Sequence, residues 1–164
     1  MEKDDFQSIP KLFRLSCAND SHKLREYIAA NLEDMDCLIN FQCSQFADAS
    51  ALILASKFGY HDVVSILLAV PGIDVNLLTI DGESALYLAC SSNHPMVVSL
   101  LLNFGCHIAN EGEFDCVREC CLWGFNKVLS SLLDHLYISE SLDIINKKAY
   151  DGTTPLCLAV MGGF

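Results

Sequence analysis

The sequence predicts an all-α chain, a solenoid of stacked helix–turn–helix units. Three observations carry that expectation. Sliding the chain along itself by 34 residues lays Ser50–Leu68 over Ser84–Leu102, and ten of nineteen positions are identical. They include Ser50/Ser84, Ala51/Ala85, Leu52/Leu86, Ala55/Ala89, Val63/Val97, Val64/Val98 and Leu67/Leu101. Within each copy the apolar residues fall at helical spacing: Leu52, Ala55 and Gly59 are followed by Val63, Val64, Leu67 and Leu68, an i, i+3, i+4 stripe. Finally, 52% of the 164 residues are apolar and the mean hydropathy is +0.33, which is enough to bury a core and excludes disorder for most of the chain.

Residues 1–9 read as an N-terminal tail. Its opening, Met1-Glu2-Lys3-Asp4-Asp5, has neither the basic nor the apolar region of a signal peptide. Residues 10–45 read as a degenerate leader or capping unit, since Leu12–Ala29 keeps the spacing through Ser16, Asp20, Leu24 and Ile28. Terminal units of an array are expected to be atypical because one face meets solvent. Residues 46–78 form the first full unit, with Gly59 as the break between two antiparallel helices and Gly72 as the stop of the second. Residues 79–110 form the next. Pro95 opens its second helix, where a missing N–H costs little, and Gly105 ends it. Residues 111–148 are a worn copy that keeps Val117, Gly124, Val128, Leu132 and Leu133 but has Cys120-Cys121 for the alanine pair. Its connection, 134–148, is the longest and reads as a protruding loop. Residues 149–164 supply the first half of one more unit, and the expectation is a chain truncated within that repeat.

At this point the residues resemble a known family. Asp151-Gly152-Thr153-Thr154-Pro155-Leu156-Cys157-Leu158-Ala159 is similar to the ankyrin repeat's D-G-x-T-P-L-H-x-A signature, and Asp81-Gly82-Glu83-Ser84-Ala85-Leu86-Tyr87-Leu88-Ala89 is the same element with two substitutions. Val97-Val98, Leu100-Leu101-Leu102 and Asn103-Phe104-Gly105-Cys106 match its second half. The third unit departs from the pattern, with Asp115 and Cys116 where Thr-Pro would stand. The resemblance covers the chain from about residue 10 onward and implies β-hairpin-like loops between the helix pairs.

Chemistry is sparse in this sequence. Nine cysteines tempt a metal reading, and Cys116, Cys120 and Cys121 lie near His107 and His135 in sequence. Structural zinc sites, however, answer one C-x₂₋₄-C pair with a second, and no second pair stands at the right spacing. The cysteines instead fall on small, tightly packed positions. Cys17, Cys90 and Cys121 read as the second alanine of their units, Cys120 as the first, and Cys106 as the alanine after the glycine. A thiol substitutes for alanine at such contacts. No phosphate-binding G-x-x-x-x-G-K occurs, and His22, His61, His94, His107 and His135 form no acid–base pair. The expectation is no enzyme, no catalytic residue, no metal and no cofactor.

Charge narrows the partner. Ten basic and 21 acidic residues leave a net charge of −11, which repels phosphate backbones and anionic membranes, and no apolar run reaches the ~20 residues of a membrane span. Nucleic acid and membrane insertion are therefore not expected. A cytoplasmic location, with the nucleus as an alternative, fits nine unpaired thiols. Glu111, Glu113, Asp115 and Glu119, with Asp81 and Glu83 beside them, would suit a partner with a basic segment.

By resemblance, the partner binds the concave groove of the array, at the hairpin tips and the exposed ends of the first helices. The tips carry over as Phe46 and Ala47; Ile80, Asp81 and Glu83; Glu111 and Phe114; and Tyr150, Asp151 and Thr153. The helix ends carry over as Lys57 and Phe58, Ser91 and Ser92, and Leu122 and Trp123. Phe46, Phe58, Trp123 and Tyr150 read as an aromatic strip, the residue class that anchors interfaces; Phe58 and Trp123 read equally well as folded back on neighbouring repeats. The function expected is a non-catalytic protein-interaction module. The alternative is a targeting segment of a larger kinase, ubiquitin ligase or channel, and self-association through the open last repeat is also expected.

Overall fold

A computed structural model describes residues 9–108, 115–138, 145–148 and 151–163, and their side chains except at positions 36, 37 and 138. The chain folds as two compact units, Met1–Ala85 and Leu86–Phe164.

The first unit opens with helix α1 (Lys11–Cys17) and α2 (Ser21–Ala30), where Asp20 caps α2 by accepting the N–H of Lys23. A 3₁₀ turn (Leu32–Asp34) and the short α3 (Met35–Leu38) lead to a two-stranded antiparallel ribbon, β1 (Gln42–Cys43) paired with β2 (Ala49–Ser50). Helices α4 (Ala51–Lys57) and α5 (His61–Leu68) follow. Helix α1 packs on α2 and α4, and α5 packs on α2 and α4. The stripes read from the sequence meet there: Leu12, Phe13, Leu24, Leu52, Ile53 and Leu67 are all fully buried. Removal of such side chains from water is the main stabilising term.

The second unit takes in α6 (Ala85–Ser91, beginning at the boundary), α7 (Pro95–Phe104), α8 (Cys116–Trp123), α9 (Asn126–Ile138) and α10 (Pro155–Gly162). Helix α9 packs on α7 and α8, and α10 on α8, burying Val117, Val128, Leu132 and Leu136. Pro95 is the first residue of α7 and Gly105 caps it in the left-handed region (φ 93°).

One turn recurs between the paired helices. Asn19, Gly59, Asn93 and Gly124 all have positive φ, between 54° and 72°. The residue after each sends its N–H back five residues: Asp20 to Leu15, Tyr60 to Ala55, His94 to Ala89 and Phe125 to Cys120. This is the Schellman closure, made by glycine or by asparagine, the residues that tolerate this conformation best.

Three expectations need correction. Gly72 is not the stop of α5, which ends at Leu68 with Ala69 as its cap; Val70 precedes Pro71, and a residue before proline is turned away from the helical region. Cys17 is not the second alanine-type position of the leader. Counting back from the left-handed residue, Ser16 matches Ser56, Cys90 and Cys121, and Ser16 is the buried one. Lastly, α9 runs to Ile138, into the stretch 134–148 read as a loop, because Leu132 and Leu136 extend its buried stripe by another turn.

Candidate protein-interaction surface

In the first unit the loop tips are tied down by their own backbone. The ribbon's tip, between β1 and β2, turns through Ala47 and Asp48, both at φ 55°. The Ala47 carbonyl accepts the N–H of Ile80 at 2.9 Å, joining this tip to the next one. Gln42 Nε2 adds bonds to the carbonyls of Asp48 (2.8 Å) and Leu78 (2.7 Å). The second tip is closed by a bridge between Leu78 and Ser84 and by hydrogen bonds from Thr79 to the Glu83 carbonyl and from Glu83 to Thr79 Oγ1.

On this frame the apolar side chains face outward. Ile80 is 73% exposed, Phe58 53% and Phe46 38%. Phe46 leans one ring face on buried Phe13, with 5.7 Å between centroids, and Phe58 stacks on Tyr60 at 5.7 Å. Lys57 and Asp81 are exposed, and Glu83 is half-buried. Leu78, half-exposed on the flank of the second tip, was missed by sequence reasoning; the signal available was two adjacent leucines before a turn, only one of which a strand-like flank can bury.

In the second unit the helix-end positions differ in character. Ser91 and Ser92 are half-buried, and Ser91 Oγ donates to the Leu88 carbonyl. Trp123 is 58% exposed, its Nε1 donating to Glu119 Oε1 at 2.8 Å, and Leu122 is exposed beside it. So Trp123 and Phe58 both present their rings to solvent rather than folding back. Glu111, Phe114 and Tyr150 lie outside the described residues; among the described residues the aromatic strip is represented by Phe46 and Phe58 in one unit and Trp123 in the other.

The last tip is held by an arginine. Arg118 donates from Nη1 to the Thr153 carbonyl (3.0 Å) and from Nη2 to Thr153 Oγ1 (3.1 Å). Thr153 in turn donates its N–H and hydroxyl to Asp151 Oδ1, and these bonds hold the Asp151 carboxyl below the usual carboxylate range. Thr153 is thus half-occupied by internal contacts, while Asp151 stays exposed. Of the expected acidic field, Glu111 and Glu113 lie outside the described residues, and the third unit's described members are engaged internally. Asp115 is buried as the cap of α8, accepting from Val117 and Arg118, and Glu119 is engaged by Trp123.

Six cysteines, Cys43, Cys90, Cys106, Cys116, Cys120 and Cys121, are buried as small apolar groups, whereas Cys17 is half-buried and Cys157 exposed. Cys90, Cys116 and Cys120 are fully buried, with the Cys90 thiol bonded to the other two and pushed well up in pKa by those bonds and by burial. Among the described residues, no group of three or more His, Cys, Asp or Glu side chains is arranged to hold a metal ion. Nor, among the described residues, is any helix long and apolar enough to cross a membrane.

Comparison with known proteins decides the family. The family of ankyrin repeats (three copies) matches residues 15–111 and again 52–139. The chain belongs to the ankyrin-repeat family. Its helix pairs, left-handed inter-helix turns and tied hairpin tips are therefore those of a protein-interaction fold. Among curated relatives, it is 28% identical over 141 residues to a probable E3 ubiquitin-protein ligase, XBOS32, of Oryza sativa subsp. japonica, covering 70% of this chain and 28% of that protein. It is 30% identical over 152 residues to a second, XBOS33, of the same organism, covering 70% and 29%. Protein fem-1 homolog C of Danio rerio is 34% identical over 103 residues, covering 63% of this chain and 14% of that protein. The chain thus spans less than a third of the length of each of these relatives.

Proposed function

We propose that the chain is a non-catalytic recognition module that takes a protein or peptide partner on the hairpin tips and first-helix ends of its units, the positions that line the family's concave groove. The observation that carries this is Ile80, 73% exposed on a tip whose backbone is fixed by hydrogen bonds to Ala47 and within its own turn. A loop whose backbone is already fixed loses little backbone entropy on binding, so burial of the side chain it carries is converted efficiently into affinity. Phe58 and Trp123 supply the large anchors that such interfaces use. Exposed Asp81 and Asp151, with the net charge of −11, favour a partner carrying basic residues at the rim. The cytoplasm or nucleus is the compartment proposed for this encounter.

Selection of displayed peptides against the 164-residue chain tests this reading. Enriched peptides should carry Lys or Arg next to apolar residues, and should bind at least about tenfold more weakly to Ile80→Ser and Phe58→Ser variants. Peptides that bind those variants as well as the parent would overturn it.

A second reading makes the module the targeting segment of a larger enzyme. Two relatives are named as probable E3 ubiquitin-protein ligases, and the match covers only 28% and 29% of them. Under this reading the same face selects a substrate. Ubiquitylation of a protein caught by the module, lost with Ile80→Ser in the complete protein, is its test.

A further inference from the structure

In the first unit, two helical stripes enclose a trough that shares no residue with the tips or first-helix ends. One stripe is Arg25, Ile28, Ala29 and Leu32; the other runs along α5 and its exit, through Ser65, Ile66, Ala69, Val70 and Pro71. The volume is about 380 Å³. Ile28, Ile66 and Val70 are buried and make the floor. Ala29, Ser65 and Ala69 are exposed on the walls and are too small to close the space. Leu32 stands at one end with 59% of its surface in water.

Arg25 is the charged residue of this lining. Its neighbours on α2 are already engaged: Lys23 pairs with Asp20 at 2.7 Å, and Glu26 faces His22. No ion pair among the described residues takes Arg25, and no carboxylate lines the trough. An apolar floor with a single guanidinium at its edge is complementary to an aliphatic side chain adjacent to a carboxylate. The charge of −11 over the whole chain is screened beyond about 8 Å at physiological ionic strength, so at the trough the residues that line it, Arg25 and no carboxylate, set the local field.

We propose that the trough between α2 and α5 is a second docking site, which accepts a partner segment presenting leucine-type side chains beside an acidic residue. It does not depend on the reading given for the tips, whose partner is expected to be basic. The two sites would let one chain hold two different segments at once.

Two blocked peptides, acetyl-Leu-Glu-Leu-Leu-amide and its lysine analogue acetyl-Leu-Lys-Leu-Leu-amide, serve as probes in an amide-resolved NMR titration of the 164-residue chain. Saturable shifts at Ile28, Ile66 and Val70 are expected with the glutamate peptide. Affinity should be about fivefold lower for the lysine analogue, the scale of one exposed charge pair. Arg25→Glu should reverse that preference, and Ser65→Trp, which fills the trough from its exposed wall, should abolish the shifts while the helical circular dichroism stays unchanged. Equal binding of both peptides, no shift at these residues up to millimolar concentration, or shifts at Phe58 and Ile80 instead would each overturn the proposal. Because the tips are reported by different amides, failure here is separable from failure of the reading for the tips.

Discussion

The backbone N–H of Ile80 is bonded to the carbonyl of Ala47 across 33 residues of sequence, at 2.9 Å. A tie of close to one repeat length thus joins successive tips directly. Asn40 adds two more ties of about one repeat length: its Oδ1 accepts the N–H of Asp74, and its Nδ2 donates to the Gly72 carbonyl, each at 2.8 Å. The surface proposed to meet a partner is in this way held by main-chain bonds and by the Asn40 and Gln42 amides.

Ser16 and Ser56 occupy the same position in their helix pairs and both are fully buried. Ser16 Oγ donates to the Leu12 carbonyl at 2.9 Å, whereas Ser56 Oγ has no partner. A buried hydroxyl without a bond costs its desolvation. Ser56→Ala is expected to stabilise the chain by about 1 kcal/mol, and Ser16→Ala to leave it unchanged or weaken it by a similar amount. Chemical denaturation midpoints check the opposite signs.

Asn93 sits at φ 58° where Gly59 and Gly124 stand in the neighbouring pairs. Asn93→Gly should be neutral or slightly stabilising, since glycine enters this region freely. Asn93→Val should lose about 1–2 kcal/mol, the cost of forcing a branched side chain there. Thermal unfolding of the two variants measures the difference.

Burial pushes the Cys106 thiol up from 9.0 to about 12. A group whose pKa is raised by folding adds stability below its unfolded pKa, and that stability is lost as pH climbs towards the folded value. The chain should accordingly weaken between about pH 9 and pH 12, and Cys106→Ala should weaken less over that interval. Denaturation midpoints at about pH 8 and about pH 10 test this.

Leu101 is fully buried in α7. Leu101→Asp would bury an unpaired carboxylate, at a cost exceeding the few kcal/mol by which a domain of this size is stable. Loss of the helical signal in circular dichroism is expected, and full helicity in that variant would contradict the packing described.

Much of this fold was legible in the sequence because period-34 identity and helical spacing report burial directly. Leu52, Leu67, Leu86 and Leu101 are buried where the stripe places them. Asn93 was harder to read, since it makes the glycine turn without being glycine. Cys17 was misplaced by one residue for a related reason: the leader's turn is made by Asn19, and without that anchor the register slides. The surface was legible only in part. Which positions are exposed follows from the repeat, but Asp115 as a cap, Arg118 on Thr153 and Glu119 under Trp123 are contacts that charge counting cannot anticipate. The α2–α5 trough arises from small residues on two helices 40 residues apart, and no local pattern announces it.

The central claim is that partners are held on the exposed apolar residues of the tips and first-helix ends. Its most direct test is paired affinity capture, with quantitative mass spectrometry, on the parent chain and on the triple variant Phe58→Ser, Ile80→Ser, Trp123→Ser. All three side chains are more than half exposed, so the variant should keep its circular dichroism spectrum and melting temperature. The account predicts a defined set of proteins on the parent that falls at least about tenfold on the variant. Retention of the same set by a folded variant would contradict it and move recognition to another face.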